Sequence, residues 1–184
     1  MSTLNEYLVQ KREAALARQE KAQQQTDLKA ERFYARAKAL GRSGVREIRI
    51  RDFQVISDSP TDFAGYNLGP NSAELQLGVL GSCLTHITLI QAAIRGVTLE
   101  SLEVEIGGDL HPLAGKPGYE DIPVYPHNIS YQIHIVSNES QETIAALHEE
   151  IERVCPIYNL LKNPQNIQGD IVLTKPQAAL ASNG

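Results

Sequence analysis

Between Glu74 and Arg95 the chain runs for twenty residues without a Lys, Arg, Asp or Glu. An apolar stretch of that length either crosses a bilayer or is enclosed by protein. Gln76, Ser82, Thr85, His86, Thr88 and Gln91 interrupt it, no membrane anchors flank it, and no second such run follows. The pattern therefore predicts a buried central helix over 72–95 and no membrane partner. Asn71 with Glu74 forms a capping-box pattern at its start, and Gly96 is a stop signal. Gly78, Gly81 and Ser82 leave room for a neighbouring backbone.

The remaining elements are arranged around that helix. Thr3 followed by Glu6, then a stretch rich in Ala, Glu, Lys, Arg and Gln, predicts a helix over 3–26. Its apolar stripe is only Leu4, Leu8 and Ala15, too thin for a core helix, so it is expected to stand in solvent or to dock on a partner. Residues 32–40 alternate and read as a strand. Gly41 to Gly44 is a turn, and 45–57 is the returning strand, with a bulge near Arg51–Asp52 to reconcile its change of parity. A loop over 58–70 leads into the central helix. Strands are expected at 99–106, 129–136 and 167–173, and helices at 141–155 and, after the break at Pro156, through 161. The Gly/Pro-rich loop 107–127 is long enough to carry function or to move. The fold class is α+β, in the order β-β-α-β-β-α-β, a sandwich around the buried helix. The domain organisation is a helical arm at 1–32, one domain at 33–175 and a disordered tail at 176–184.

Charge is unevenly distributed. Residues 1–51 hold twelve Lys/Arg against six Asp/Glu, and the rest of the chain holds five against sixteen. A basic segment without interleaved aromatics, in a chain that is acidic overall, argues against a nucleic-acid partner. It suits an N-terminal part that lies against an acidic body, its own or a partner's. Residues 1–20 contain Lys11, Arg12, Glu13 and Arg18 and no apolar core of a signal peptide, so a cytoplasmic location is expected. Two cysteines without a C-x-x-C are too few for a zinc site, and His111, His127, His134 and His148 show no ligand spacing, so neither a metal nor a bound cofactor is expected.

Chemistry in this chain rests on its two cysteines. Cys83 sits mid-helix in the most apolar segment. It reads either as an inert core thiol or as half of a redox pair, and to react it needs a cation from another segment. Cys155 precedes Pro156 and falls at the N-cap of the short helix, where free backbone amides favour a thiolate. His86, one turn after Cys83, either packs in the core or tunes the thiol.

Asn71-Ser72-Ala73-Glu74-Leu75 followed by Gly81-Ser82-Cys83-Leu84-Thr85 resembles the first cysteine motif of the OsmC/Ohr superfamily, the osmotically inducible and organic hydroperoxide resistance proteins. Val154-Cys155-Pro156 with Asn159 resembles its second, and Gly41-Arg42-Ser43-Gly44 resembles the Gly-Arg-Asp-Gly turn of the hydroperoxide resistance branch. The resemblance spans about Phe33 to Leu173. It implies an intertwined homodimer and a thiol peroxidase acting on organic hydroperoxides. Cys83 would be the peroxidatic thiol and Cys155 the resolving one, with an external dithiol or thiol as reductant. It also implies an arginine beside the thiolate, which Arg42 matches and for which Arg46 is the fallback; the plainer reading of both is solvated turn residues. The glutamate that holds such an arginine lies ten residues before the first cysteine, where this chain has Ala73. Glu74, one residue on, is the nearest substitute and is equally a capping residue.

Overall fold

The computed structural model describes residues 3–175. Helix α1 spans Leu4–Gln23; strands β1, β2 and β3 span Arg36–Ala39, Arg46–Ile50 and Phe53–Ser57; helix α2 spans Ser72–Arg95. Strands β4 and β5 follow at Ser101–Asp109 and His127–Val136, then α3 at Gln141–Val154 and α4 at Pro156–Lys162. The strands form two antiparallel sheets, β1-β2-β3 and β4-β5.

Helix α2 is the one element among the described residues long and apolar enough to cross a membrane. It is packed against α1, β4, α3 and α4 instead. Its start is the predicted capping box: Asn71 Oδ1 accepts from the Ala73 and Glu74 amides, and Glu74 Oε2 accepts from the Asn71 amide at 2.7 Å. Gly96 ends it in the left-handed region, at φ 72°. Thr85 and Thr88 remain tolerable in an apolar surrounding because their hydroxyls donate to the carbonyls of Gly81 and Leu84, one turn back. Leu80, Leu84, Ala92 and Ala93 join Leu99, Leu147 and Ile151 in the core. Each buried leucine or isoleucine contributes about 1.5–3 kcal/mol. Gly81 lies against β4, where an added Cβ would come within 3.2 Å of Ile106 Cγ1, whereas Gly78 faces open space.

Leu102, Val104 and Ile106 of β4 alternate inward and pair with Ile135, Ile133 and Tyr131 of β5. The amphipathic face of α3, with Leu147 and Ile151 fully buried, completes the core.

Three expectations are corrected. First, the parity change at Arg51–Asp52 is a chain reversal. Arg51 takes φ 54°, Ile50 pairs directly with Phe53 and Ile48 with Val55, and the expected single strand is two. Second, residues 167–173 form no strand; Ile167, Ile171 and Leu173 are 84–96% exposed, with no strand partner among the described residues. The observed order is thus β-β-β-α-β-β-α-α after the N-terminal helix. Third, the N-terminal helix neither stands free nor waits for a partner. It docks on α2 of its own chain, with Leu8 buried and Asn5 Oδ1 accepting from the Leu99 amide at 2.8 Å. The expected tail at 176–184 lies outside the described residues.

The loop between β3 and α2 is organised by Asp58, which is buried. Burial alone would raise its pKa. The amides of Ser59, Leu68 and Tyr66 and the nearby Arg46 outweigh that effect and hold the carboxyl below its usual range. A depressed folded pKa gives stability that is fully present above the unfolded value of about 3.9 and is lost as pH falls through the folded value. Urea midpoints measured from pH 5 downward should therefore fall more steeply in the wild type than in Asp58→Asn. Leu8→Ala should cost about 2–5 kcal/mol in urea unfolding, as for a core leucine, while Arg12→Ala on the exposed side of α1 should change stability by less than about 0.5 kcal/mol.

Candidate functional site

Helix α2 carries Cys83 on the boundary between its enclosed face, marked by fully buried Leu84, and an open side. Cys155 arrives from the opposite direction. Pro156 has no amide to donate and takes the first position of α4, so Cys155 is both the last cap of α3 and the first of α4. Its amide donates to Ile151 O at 2.9 Å, and its carbonyl accepts from the Asn159 amide at 3.0 Å. The Asn159 side chain ties the junction together by donating to Glu152 O at 2.8 Å and Cys155 O at 2.9 Å. These constraints bring the Cys155 thiol to 3.4 Å from Cys83 Sγ, donating to it. Both thiols are free; Cys83 is half-buried and Cys155 fully buried.

Burial pushes the Cys83 thiol up from its ordinary pKa. The Ile157 amide pulls in the other direction, and Cys155 raises it further. A pocket of about 490 Å³ opens onto Cys83, walled by Pro70, Leu75, Val79 and Ile157 and extending to His86. Glu74 also lines it, but its carboxylate accepts from the Asn71 amide as the capping residue.

The other expected residues are not gathered at the thiol within one chain. Arg42 is exposed on the β1–β2 turn and makes no hydrogen bond or ion pair among the described residues. Arg46 donates to Gly44 O, Ser57 Oγ and Asp58 O at 2.7–3.0 Å, so it secures the hairpin to the Asp58 loop. Neither contributes to the charge environment of Cys83. Ala73 is on the first turn of α2, ten residues before Cys83. His86 is largely exposed at the far end of the pocket; partial burial and the Lys11 ammonium lower its pKa. No cluster of three or more His, Cys, Asp or Glu suited to a metal occurs among the described residues.

A second cluster escaped the sequence reading. The Tyr131 hydroxyl donates to Glu152 and meets His148 Nε2 at 2.8 Å, and the Tyr131 ring stands edge-on to Tyr158. Burial, then Glu152, raises the Tyr131 pKa. The cluster lies in a groove of about 910 Å³ between β5, α3 and α4. Its signals were the inward parity of Tyr131 and the i,i+4 spacing of His148 and Glu152.

Residues 65–169 match the family model for OsmC-like protein. No curated protein matches the chain. Its fold is similar to that of an OsmC-like protein from Mycoplasma pneumoniae, at 18% identity over 73% of this chain and 89% of that one, with a TM-score of 0.63. It is similar also to an organic hydroperoxide resistance protein OsmC from Legionella pneumophila, at 16% identity over 73% and 92% with a TM-score of 0.53. A Vibrio cholerae protein whose structure holds captopril in one of the active sites is 19% identical over 75% and 89%, again at 0.53.

Asn159→Ala leaves the part-buried Glu152 carbonyl without a donor at the helix junction, where Pro156 has no amide to replace it, which costs about 1–3 kcal/mol. It should also loosen the position of Cys155. Diamide-driven disulfide formation, followed by non-reducing mass spectrometry, should be slower in this variant than in wild type.

Proposed function

Because the chain belongs to the OsmC-like protein family, we propose that it is a thiol-dependent peroxidase that reduces organic hydroperoxides in oxidative-stress defence. The observation that carries this reading is the 3.4 Å contact between Cys83 and Cys155 at the edge of an apolar pocket. The Cys83 thiolate attacks the distal peroxide oxygen. The O–O bond breaks, an alcohol leaves after protonation, and Cys83 becomes a sulfenic acid. Cys155 attacks that sulfur, the sulfenic oxygen departs as water, and a disulfide forms. An external dithiol or thiol then reduces it by exchange. An apolar wall of Leu75, Val79 and Ile157 favours bulky alkyl hydroperoxides over hydrogen peroxide, each buried methylene contributing about 0.8 kcal/mol.

The thiolate needs a cation that a single chain does not bring to it. In this proposal Arg42 of a second copy supplies it, with Arg46 as the fallback, and Glu74 remains a weak candidate to orient the arginine. The homodimer is supported by apolar surface left open in one chain: Ile50, Phe53 and Val55 on the β2–β3 face, and the unpaired segment 167–173. In the same proposal the chain divides into an arm at 1–32 and an OsmC-like domain at 33–175, and acts in the cytoplasm without a bound cofactor, a nucleic acid or a membrane.

A second reading is favoured by the raised Cys83 pKa and by Ala73 in place of a glutamate: an OsmC-like small-molecule binding protein with little turnover. Stoichiometric treatment with cumene hydroperoxide and a free-thiol count separates the two. The peroxidase loses both thiols in wild type. Cys83→Ser should abolish peroxide consumption, Cys155→Ser should keep the first turnover, and Arg42→Ala should slow it at pH 7 by about tenfold or more with partial recovery at higher pH. Two reduced thiols persisting beside unconsumed peroxide would favour the binding protein, and a normal rate in Arg42→Ala would move the cation's role to Arg46.

A further inference from the structure

The cluster around Tyr131 takes no part in the chemistry at Cys83, yet it surrounds the helix junction that carries Cys155. Glu152 is at its centre. The Glu152 carbonyl lies four residues before Pro156, which has no amide to close the helical hydrogen bond, and Asn159 Nδ2 donates to it instead at 2.8 Å. The same Asn159 nitrogen donates to Cys155 O at 2.9 Å. The Glu152 carboxylate accepts from the Tyr131 hydroxyl. One residue of α3 is thus tied to β5 through its side chain and to α4 through its backbone.

Neighbouring groups hold this tie in place. Tyr131 pairs with Ile106 in the register of β4 and β5. Its ring stands edge-on to Tyr158 of α4, with centroids 6.1 Å apart, and both rings pack against the buried core that includes Cys155. His148 Nε2 meets the Tyr131 hydroxyl at 2.8 Å, and the Lys162 ammonium lies over the Tyr158 ring at 5.3 Å. The Tyr131 hydrogen bond, then His148, Tyr158 and Lys162, hold the Glu152 carboxyl below its usual range, although burial opposes them. The carboxylate is therefore ionised at neutral pH, and the Tyr131 hydrogen bond to it is charge-assisted.

We propose that Tyr131 and Glu152 are positioning residues for Cys155, holding the α3–α4 junction against β5 so that the Cys155 thiol meets the Cys83 sulfur. Its role as resolving thiol rests on the peroxidase reading. The positioning does not, because it acts in any thiol–disulfide exchange that closes the Cys83–Cys155 bond.

Closure is measured with glutathione disulfide on the full, reduced chain. The Cys83 thiolate attacks glutathione disulfide, releases one glutathione and becomes a mixed disulfide. Cys155 then attacks the Cys83 sulfur, its proton passes to the second departing glutathione, and the protein disulfide is formed. Non-reducing mass spectrometry of quenched samples resolves the two steps. Tyr131→Phe keeps the ring beside Tyr158 and removes the hydroxyl. Tyr131→Phe and Glu152→Ala should each slow the second step by about fivefold or more, so that the mixed disulfide on Cys83 accumulates. The equilibrium constant for closure should fall by a similar factor, about 20 mV in potential. Glu152→Gln retains an acceptor for the Tyr131 hydroxyl and should recover part of the loss. Tyr131→Phe combined with Glu152→Ala should be no worse than either alone, since the two residues act as one unit. His134→Ala breaks the exposed 3.4 Å contact with Glu105 on the same strand and should change neither quantity.

Iodoacetamide alkylation of Cys83 should run at the wild-type rate in Tyr131→Phe, because the defect lies in closure alone. Alkylation that falls in step with closure overturns the proposal, since the variant would then disturb Cys83 itself. Normal closure in both Tyr131→Phe and Glu152→Ala also overturns it, as does a Glu152→Gln no better than Glu152→Ala. With cumene hydroperoxide, Tyr131→Phe should consume the first equivalent normally and leave a sulfenic acid on Cys83 that dimedone traps. Failure of wild type to consume the hydroperoxide sinks the peroxidase reading and leaves the glutathione result to decide the roles of Tyr131 and Glu152.

Discussion

Four elements of this chain pack around one helix that carries no charge from Leu75 to Ile94. Its Leu80, Leu84, Thr88 and Ala92 side is fully buried, α1, β4, α3 and α4 each taking a sector of the helix surface, while Val79, Ser82 and His86 remain exposed on the other side. The polar groups it retains are satisfied locally, as Thr85 and Thr88 are by their own helix. Cys83 lies where the enclosure stops. The same partial burial that makes the sulfur reachable from the pocket also makes it hard to ionise. That tension, between access and desolvation, defines what any chemistry at this thiol must overcome.

Pairing of the thiols is achieved inside the chain, and neither Arg42 nor Arg46 is brought to them. A proline that stops α3 and starts α4, together with an asparagine that bridges the two helices, is sufficient to hold Cys155 against Cys83. Arg46, by contrast, is committed to the Asp58 loop, and Arg42 extends from a hairpin whose apolar face is open. The chain holds the two thiols together while leaving Phe53, Ile171 and Leu173 in water.

The helices were legible because their signals are local. Thr3 with Glu6 and Asn71 with Glu74 are capping boxes in the structure as in the sequence, and Gly96 and Pro156 punctuate where expected. Cys83 and Cys155 were paired only through the motifs, since nothing in their spacing encodes a 3.4 Å contact between helices. The β segments were less legible for the same reason. The parity change after Ile50 fits a bulge or a reversal equally well, and only the pairing of Ile50 with Phe53 distinguishes them. Ile167 to Leu173 has the composition of a strand and no partner among the described residues, and composition cannot supply the partner. The docking of α1 was obscured by its thin stripe: one buried leucine and one asparagine hydrogen bond do what a broad apolar face does elsewhere.

That economy bears on the order in which the molecule is assembled. The Asn5–Leu99 hydrogen bond joins residues 94 apart in sequence, so α1 has no docking surface until α2 and the start of β4 exist. During synthesis the first helix leaves the ribosome many seconds before its binding site does, at about 5–20 residues per second. A helix with a wide apolar face would spend that interval as an aggregation hazard. One that is polar nearly all round, stabilised by its own capping box and by good helix-forming residues, can wait in water and close over the finished helix last.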